Sequence, residues 1–288
     1  MRLAVEGQVS KSASEDPAEE AERNRRRLTP GAFYVQAEDA QLWTVAFGPG
    51  DGPALVAVGG WIGSWELWAG PFGELSARWR VVSFDHRGTG ATISSAASIS
   101  HERLVDDIFV VLDAHGIDRC VLAGESAGAG VVISAAARHP ERVAGLVLVD
   151  GSIPTGRRQE DDPFPLSLRS DFAGTIDRFV DACLPGPDAD ALRHWGRLIL
   201  SRSTPEHAIA LYCAAVDPRD DLAHVRAPAL VIHCEGDRIA PLEDGRALAA
   251  GLPNATLRVL TGSEHVPTLT RPGEIAALIE EWQARILG

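Results

Sequence analysis

The residues most able to do chemistry lie at Gly124-Glu125-Ser126-Ala127-Gly128, a G-x-S-x-G pattern directly after the apolar run Val121-Leu122-Ala123. A strand that stops at a serine fenced by small residues makes a sharp strand-to-helix turn. Such a turn strains the serine backbone, needs glycine beside it, and holds the hydroxyl out at the top of a sheet. The alanine-rich stretch Ala127 to His139 reads as the helix that follows, so free N–H groups at its first turn face the serine. Gly, Ser and Ala are common, and the pattern alone also describes an ordinary turn, so its surroundings have to decide between the two.

The elements needed to position the serine follow in order along the chain. Phe33 to Gln36 and Leu42 to Phe47 read as a hairpin, and Ala54 to Val58, Arg80 to Phe84, the run before Ser126 and Val143 to Val149 read as strands. Between them lie helices predicted at Trp65 to Trp79, interrupted by Pro71 and Gly73, and at His101 to His115. This alternation predicts an α/β fold, a mostly parallel sheet covered on both faces with its site at the carboxyl ends of the strands. The rhythm breaks over 151–226, where helices are expected near Asp171 to Leu184, Pro187 to Ser201 and Thr204 to Val216, the last capped by Thr204 ahead of Pro205. A helical segment inserted between two strands reads as a lid. The strand–helix alternation resumes with Ala229 to Cys234, Leu242 to Leu252, Thr256 to Leu260 and Pro272 to Leu287. The expected organisation is an N-terminal extension over 1–30, a core over 31–150 and 227–288, and the lid over 151–226. Within the extension, Asp16, Pro17 and Glu19 resemble a capping box and predict a short charged surface helix.

Composition narrows the class of function. Forty acidic against 27 basic residues give a net charge of −13, which argues against nucleic acid or an anionic membrane as partner. No apolar run is long enough to span a membrane, and the start lacks the apolar core of a signal peptide, so the expected setting is cytoplasmic. The four cysteines, Cys120, Cys183, Cys213 and Cys234, lack metal-like or disulfide-framework spacing. The glycines at 88 and 90 lack the rest of a dinucleotide fingerprint, and no two histidines have zinc-like spacing, so neither cofactor nor metal is expected.

From about residue 32 onward the chain resembles the α/β-hydrolase superfamily, in the branch with a lid after the sixth strand of an eight-stranded-type sheet. Gly59-Gly60-Trp61 stands where that family has its oxyanion loop, and Asp85-His86-Arg87-Gly88-Thr89-Gly90 is similar to its D-x-R-G-x-G loop. Gly124 to Gly128 matches its nucleophile elbow, Glu235-Gly236-Asp237-Arg238 its acid loop, and Gly262-Ser263-Glu264-His265 its histidine loop. The resemblance implies Ser126, His265 and Asp237 as nucleophile, base and orienting acid, in the chain order that the fold dictates. It also implies the backbone N–H groups of Trp61 and Ala127 as an oxyanion hole. Asp150, which ends the strand after the serine helix, is the rival acid.

The implied reaction is hydrolysis of a small apolar carboxylic ester or lactone through an acyl-serine, by a monomer or homodimer. Other chemistry on the same residues (C–C hydrolysis, perhydrolysis, thioester cleavage, lyase activity) and a hydrolase-like receptor are the alternatives. Gly60, Trp65, Ile153, Trp195, Tyr212 and Val266 are the expected pocket residues. Two departures from the family pattern stand out. Gly59 replaces a histidine that commonly braces the oxyanion loop, and the acidic Glu125 sits beside the nucleophile, expected either to act on His265 or to pair with a surface arginine.

Overall fold

The computed structural model describes residues 30–154 and 156–287, so the expected helix near Asp16 lies outside the described residues. The strands are β1 (Gly31–Ala37), β2 (Ala40–Phe47), β3 (Ala54–Val58), β4 (Arg80–Phe84), β5 (Ile93–Ser94), β6 (Cys120–Glu125), β7 (Val143–Val149), β8 (Ala229–Cys234) and β9 (Ala255–Leu260). They form one sheet in the order β1-β2-β4-β3-β6-β7-β8-β9, with β5 attached to β2. The first hairpin and the β2–β4 pair are antiparallel, and every pair from β4–β3 to β8–β9 is parallel. The two-residue β5 was not expected; it makes the strand before the insertion the seventh in chain order rather than the sixth.

Sequence explains why the parallel strands lie at the centre. β6 and β8 are buried at every position and β3 at four of its five, as strands covered on both faces require. Side chains alternate between two cores. Val121 and Ala123 face Trp68, Phe72, Ile275 and Ile279, while Leu122 faces Ile108, Val132 and Leu148. Each fully buried aliphatic side chain contributes roughly 1.5–3 kcal/mol. The helix His101–Ala114 buries Leu104, Val105, Ile108, Val111 and Leu112, one face at helical spacing, and starts where the Ser100 hydroxyl accepts from the Arg103 amide.

Between β7 and β8 the chain forms helices at Pro163–Ser170, Phe172–Cys183, Asp190–Leu200, Pro205–Ala214 and Arg219–Leu222. Thr204 caps the fourth by accepting from the His207 amide, with Pro205 in the first turn. The first and last of these were not expected. Proline at two of eight positions in Pro163–Ser170 and a length of four residues in Arg219–Leu222 leave little periodic signal. The region Trp65 to Trp79 was expected as a helix interrupted at Pro71 and Gly73, but the change falls earlier, at Trp68, and the helix runs through both residues. The region is a 3₁₀ turn, Trp65–Trp68, followed by the short helix Ala69–Leu75. Among the described residues no helix is long and apolar enough to cross a membrane.

Candidate active site

The turn after β6 has the strained geometry that its sequence predicts. Ser126 sits at φ 51°, a left-handed conformation that non-glycine residues rarely hold. The two flanking glycines are required by close backbone approach. A Cβ on Gly124 would lie 2.6 Å from the Gly128 oxygen, and one on Gly128 would lie 2.6 Å from the Gly59 oxygen. Gly60 lets the loop after β3 come close as well, since its Cβ would meet the Ser126 Cβ at 3.1 Å. The helix Gly128–Arg138 begins with Ala127 at its N-cap, where N–H groups have no partner within the helix and the dipole is positive.

His265 and Asp237 come to this turn from loops after β9 and β8. His265 Nδ1 lies 2.6 Å from Asp237 Oδ2 and Nε2 lies 2.8 Å from Ser126 Oγ. A carboxylate only accepts, so Nδ1 carries the proton and Nε2 accepts the serine hydroxyl. The other Asp237 oxygen accepts from the amides of Ile239 (2.7 Å) and Ala240 (3.1 Å), which fixes the carboxylate. The His265 amide donates to the Cys183 carbonyl at 2.8 Å, so the end of an inserted helix holds the histidine loop in place. The three expected residues are therefore in one hydrogen-bonded chain whose serine oxygen can lose its proton to the imidazole as it attacks.

Asp150 does not reach His265. Its Oδ1 accepts from the Cys234 amide at 2.7 Å, and burial first, then the nearby Asp237 carboxylate, push its carboxyl up to about 9. Asp150, His233 and Asp237 do bring potential metal-ligand atoms within 4.8 Å of one another. Asp237 is held by His265 and His233 Nε2 lies on the Ala240 carbonyl, while Asp150 Oδ2 and His233 Nδ1 have no hydrogen-bond partner among the described residues.

The loop after β3 is braced in a way the sequence did not reveal. His86 Nε2 lies 2.8 Å from the Trp61 carbonyl. Burial holds the His86 ring down at about 4, so the neutral imidazole donates. The Gly63 amide closes the turn on the Gly60 carbonyl at 2.9 Å, and the Trp61 indole donates to the Ala208 carbonyl at 2.8 Å. Arg87, by contrast, is buried in a two-pronged pair with Asp107 (2.7 and 2.9 Å), and Asp85 accepts from the amides of Trp65 and Ala91. The signal for His86 was its place in the D-x-R-G-x-G-like loop; its partner lies 25 positions away.

Ser126 and His265 open on a cavity walled by Gly60, Trp61, Leu67, Phe179, Leu200 and Val266, with Glu125 and Cys183 among its other lining residues. Of the expected pocket residues, Gly60 and Val266 line it, and Trp65, Ile153, Trp195 and Tyr212 do not. Trp65 packs on Phe47 at 5.9 Å between ring centres. Ile153 and Trp195 pack against the core. Tyr212 lies 5.6 Å from the Phe164 ring centre and donates its hydroxyl to Asp162. Phe179 lines the cavity and, like Phe164, packs against Trp61. Glu125 pairs with no arginine among the described residues: it is 1% exposed, and its Oε1 accepts from the Thr268 hydroxyl at 2.8 Å.

Residues 53–208 match the alpha/beta hydrolase fold family, and the chain belongs to that family. It is 30% identical over 245 residues to a protein of Caulobacter sp. (strain K31) provisionally named carbamate hydrolase RutD, covering 80% of this chain and 90% of that one. It is 29% identical over 253 residues to the pimeloyl-acyl-carrier-protein methyl ester esterase of Aeromonas hydrophila, covering 81% and 96%. Its fold matches that of the enol-lactonase from Burkholderia xenovorans LB400 with a TM-score of 0.79 at 22% identity, over 88% of this chain and all of the other.

Proposed function

We propose that this protein is a serine hydrolase of small carboxylic esters or lactones. The observation that carries the reading is the Ser126–His265–Asp237 chain, with contacts of 2.8 and 2.6 Å, opening on an apolar cavity. The substrates named for the two sequence relatives, a methyl ester and a carbamate, share an acyl carbon next to a heteroatom, which supports the same class here.

As the Ser126 oxygen attacks that carbon, its proton passes to His265 Nε2, and Asp237 stabilises the imidazolium through Nδ1–H. The Ala127 and Trp61 amides hold the oxyanion; losing one such donor costs ~3 kcal/mol of transition-state stabilisation. His265 then protonates the leaving alkoxide, which departs as alcohol or, from a lactone, stays tethered to the acyl group. A water that gives its proton to His265 attacks the acyl-serine, and that proton returns to Ser126 Oγ as the acid is released.

The inserted helices act as a lid. Phe179, Val180, Leu184 and Leu200 supply one wall of the cavity, and the insertion is tied to the core by Arg202–Glu66 at 2.6 Å and by the Ser203 hydroxyl on the Gly88 carbonyl at 2.8 Å. Turnover of p-nitrophenyl esters of two to eight carbons tests the reading. Steady hydrolysis by the wild type that disappears in Ser126→Ala is expected, and absence of turnover for every chain length would overturn it.

A further inference from the structure

Glu125 is the last residue of β6, and by strand alternation its side chain shares a face with Val121 and Ala123, opposite the helix that follows Ser126. It lines the cavity that holds Ser126 and His265. Cys183 lines the same cavity, and burial first, then the Asp237 and Glu125 carboxylates, push its thiol up. One carboxyl oxygen takes the Thr268 hydroxyl, while Oε2 is buried and has no hydrogen-bond partner among the described residues. Buried polar atoms are nearly always paired, and this one belongs to a residue that lines the same cavity as Phe179, Val180 and Leu269.

Burial pushes the Glu125 carboxyl up to about 8, so it is protonated near neutral pH. With Oε1 occupied as acceptor by Thr268, the proton resides on Oε2, which is then a donor without an acceptor. The acyl group bonded to Ser126 must occupy this cavity. We propose that Glu125 sets specificity by donating a hydrogen bond to an oxygen, ether, keto or hydroxyl, carried along the acyl chain of the substrate. This deepens the ester-hydrolase reading and rests on it. A site with one buried, unpaired donor discriminates against an acyl chain that offers only methylenes.

The test uses p-nitrophenyl pentanoate and two chain-matched analogues, ethoxyacetate and 3-methoxypropanoate, which replace one methylene by oxygen at successive positions. Each kcat/KM is divided by the ester's own rate of hydroxide hydrolysis. The wild type is expected to favour one oxygen-bearing ester over pentanoate by about tenfold. Glu125→Met brings the ratio to about one whatever its absolute rate. Glu125→Gln keeps it, because the amide N–H donates while its oxygen serves Thr268. Thr268→Val, which releases the proton from its assigned oxygen, reduces the ratio without touching Glu125, and thermal melting establishes that each variant is folded. Ser126-dependent turnover of pentanoate with the same ratio in wild type and Glu125→Met overturns this proposal and leaves the hydrolase reading intact. Failure of the wild type to cleave any of the three esters overturns both.

Discussion

The Nε2 of His86 and the carbonyl oxygen of Trp61 lie 2.8 Å apart, so an imidazole, absent at Gly59, reaches the loop after β3 from the segment after β4. The Trp61 amide shares its peptide plane with the Gly60 carbonyl, which the Gly63 amide holds at 2.9 Å, and His86 holds the next peptide by the Trp61 oxygen, so the two bonds together restrict how the Trp61 amide can turn. His86→Ala is expected to lower kcat about tenfold with a smaller change in KM, because the proposed oxyanion donor is misplaced while His86 itself does not line the cavity. His86→Gln, which can still donate, is expected to recover much of the loss. Steady-state kinetics of both variants check this, and an unchanged kcat in His86→Ala would remove the brace from the account.

The elbow glycines make a stability prediction with a built-in control. A methyl at Gly124 or Gly128 would lie 2.6 Å from a main-chain oxygen, whereas one at Gly73, inside a helix, meets nothing within 4 Å. Gly128→Ala is expected to cost about 1–3 kcal/mol and to reduce turnover strongly, since the loop after β3 must retreat. Gly73→Ala is expected to gain roughly 0.5–1 kcal/mol. Urea unfolding of the two variants measures both signs.

The two candidate acids separate by substitution. Asp237→Asn removes the carboxylate that orders the imidazole and is expected to lower kcat ~10³–10⁴-fold. Asp150→Asn keeps an oxygen for the Cys234 amide and is expected to stay within about threefold of wild type. Retained turnover in the first variant together with loss in the second would reverse the assignment.

Asp150 also sets a pH dependence of stability. Its carboxyl is raised in the folded protein to about 9, against an ordinary value near 4 when unfolded. Between those values the folded state holds a proton that the unfolded state has released, so the contribution is fully present below pH ~4 and falls away as pH rises through the window. Asp150→Asn removes the titration. Its melting temperature relative to wild type is expected to rise steadily from pH 5 to pH 8.5, and a flat difference would mean that Asp150 is ionised in the folded state.

The parallel sheet and the Ser126 turn were legible because few residue types satisfy them: continuous apolar runs for strands buried on both faces, and glycine where two backbones meet. The closing helix, expected near Pro272 to Leu287, is found at Pro272–Leu287, where proline suits a first turn. The pocket was much less legible. Trp65, Trp195 and Tyr212 are as apolar as Phe179 and Leu200, and only tertiary packing decides which of them meets the cavity. His86 was legible only as part of its loop and not as a brace, because its partner is a main-chain oxygen, which no side-chain pattern encodes.

Whether His265 makes the Ser126 oxygen nucleophilic is read by labelling with a fluorophosphonate probe followed by mass spectrometry of the labelled peptide. Stoichiometric modification at Ser126 is expected, slowed at least a hundredfold in His265→Ala and absent in Ser126→Ala. Wild-type protein that stays unlabelled at Ser126, or a His265→Ala variant labelled at the wild-type rate, would contradict that activation.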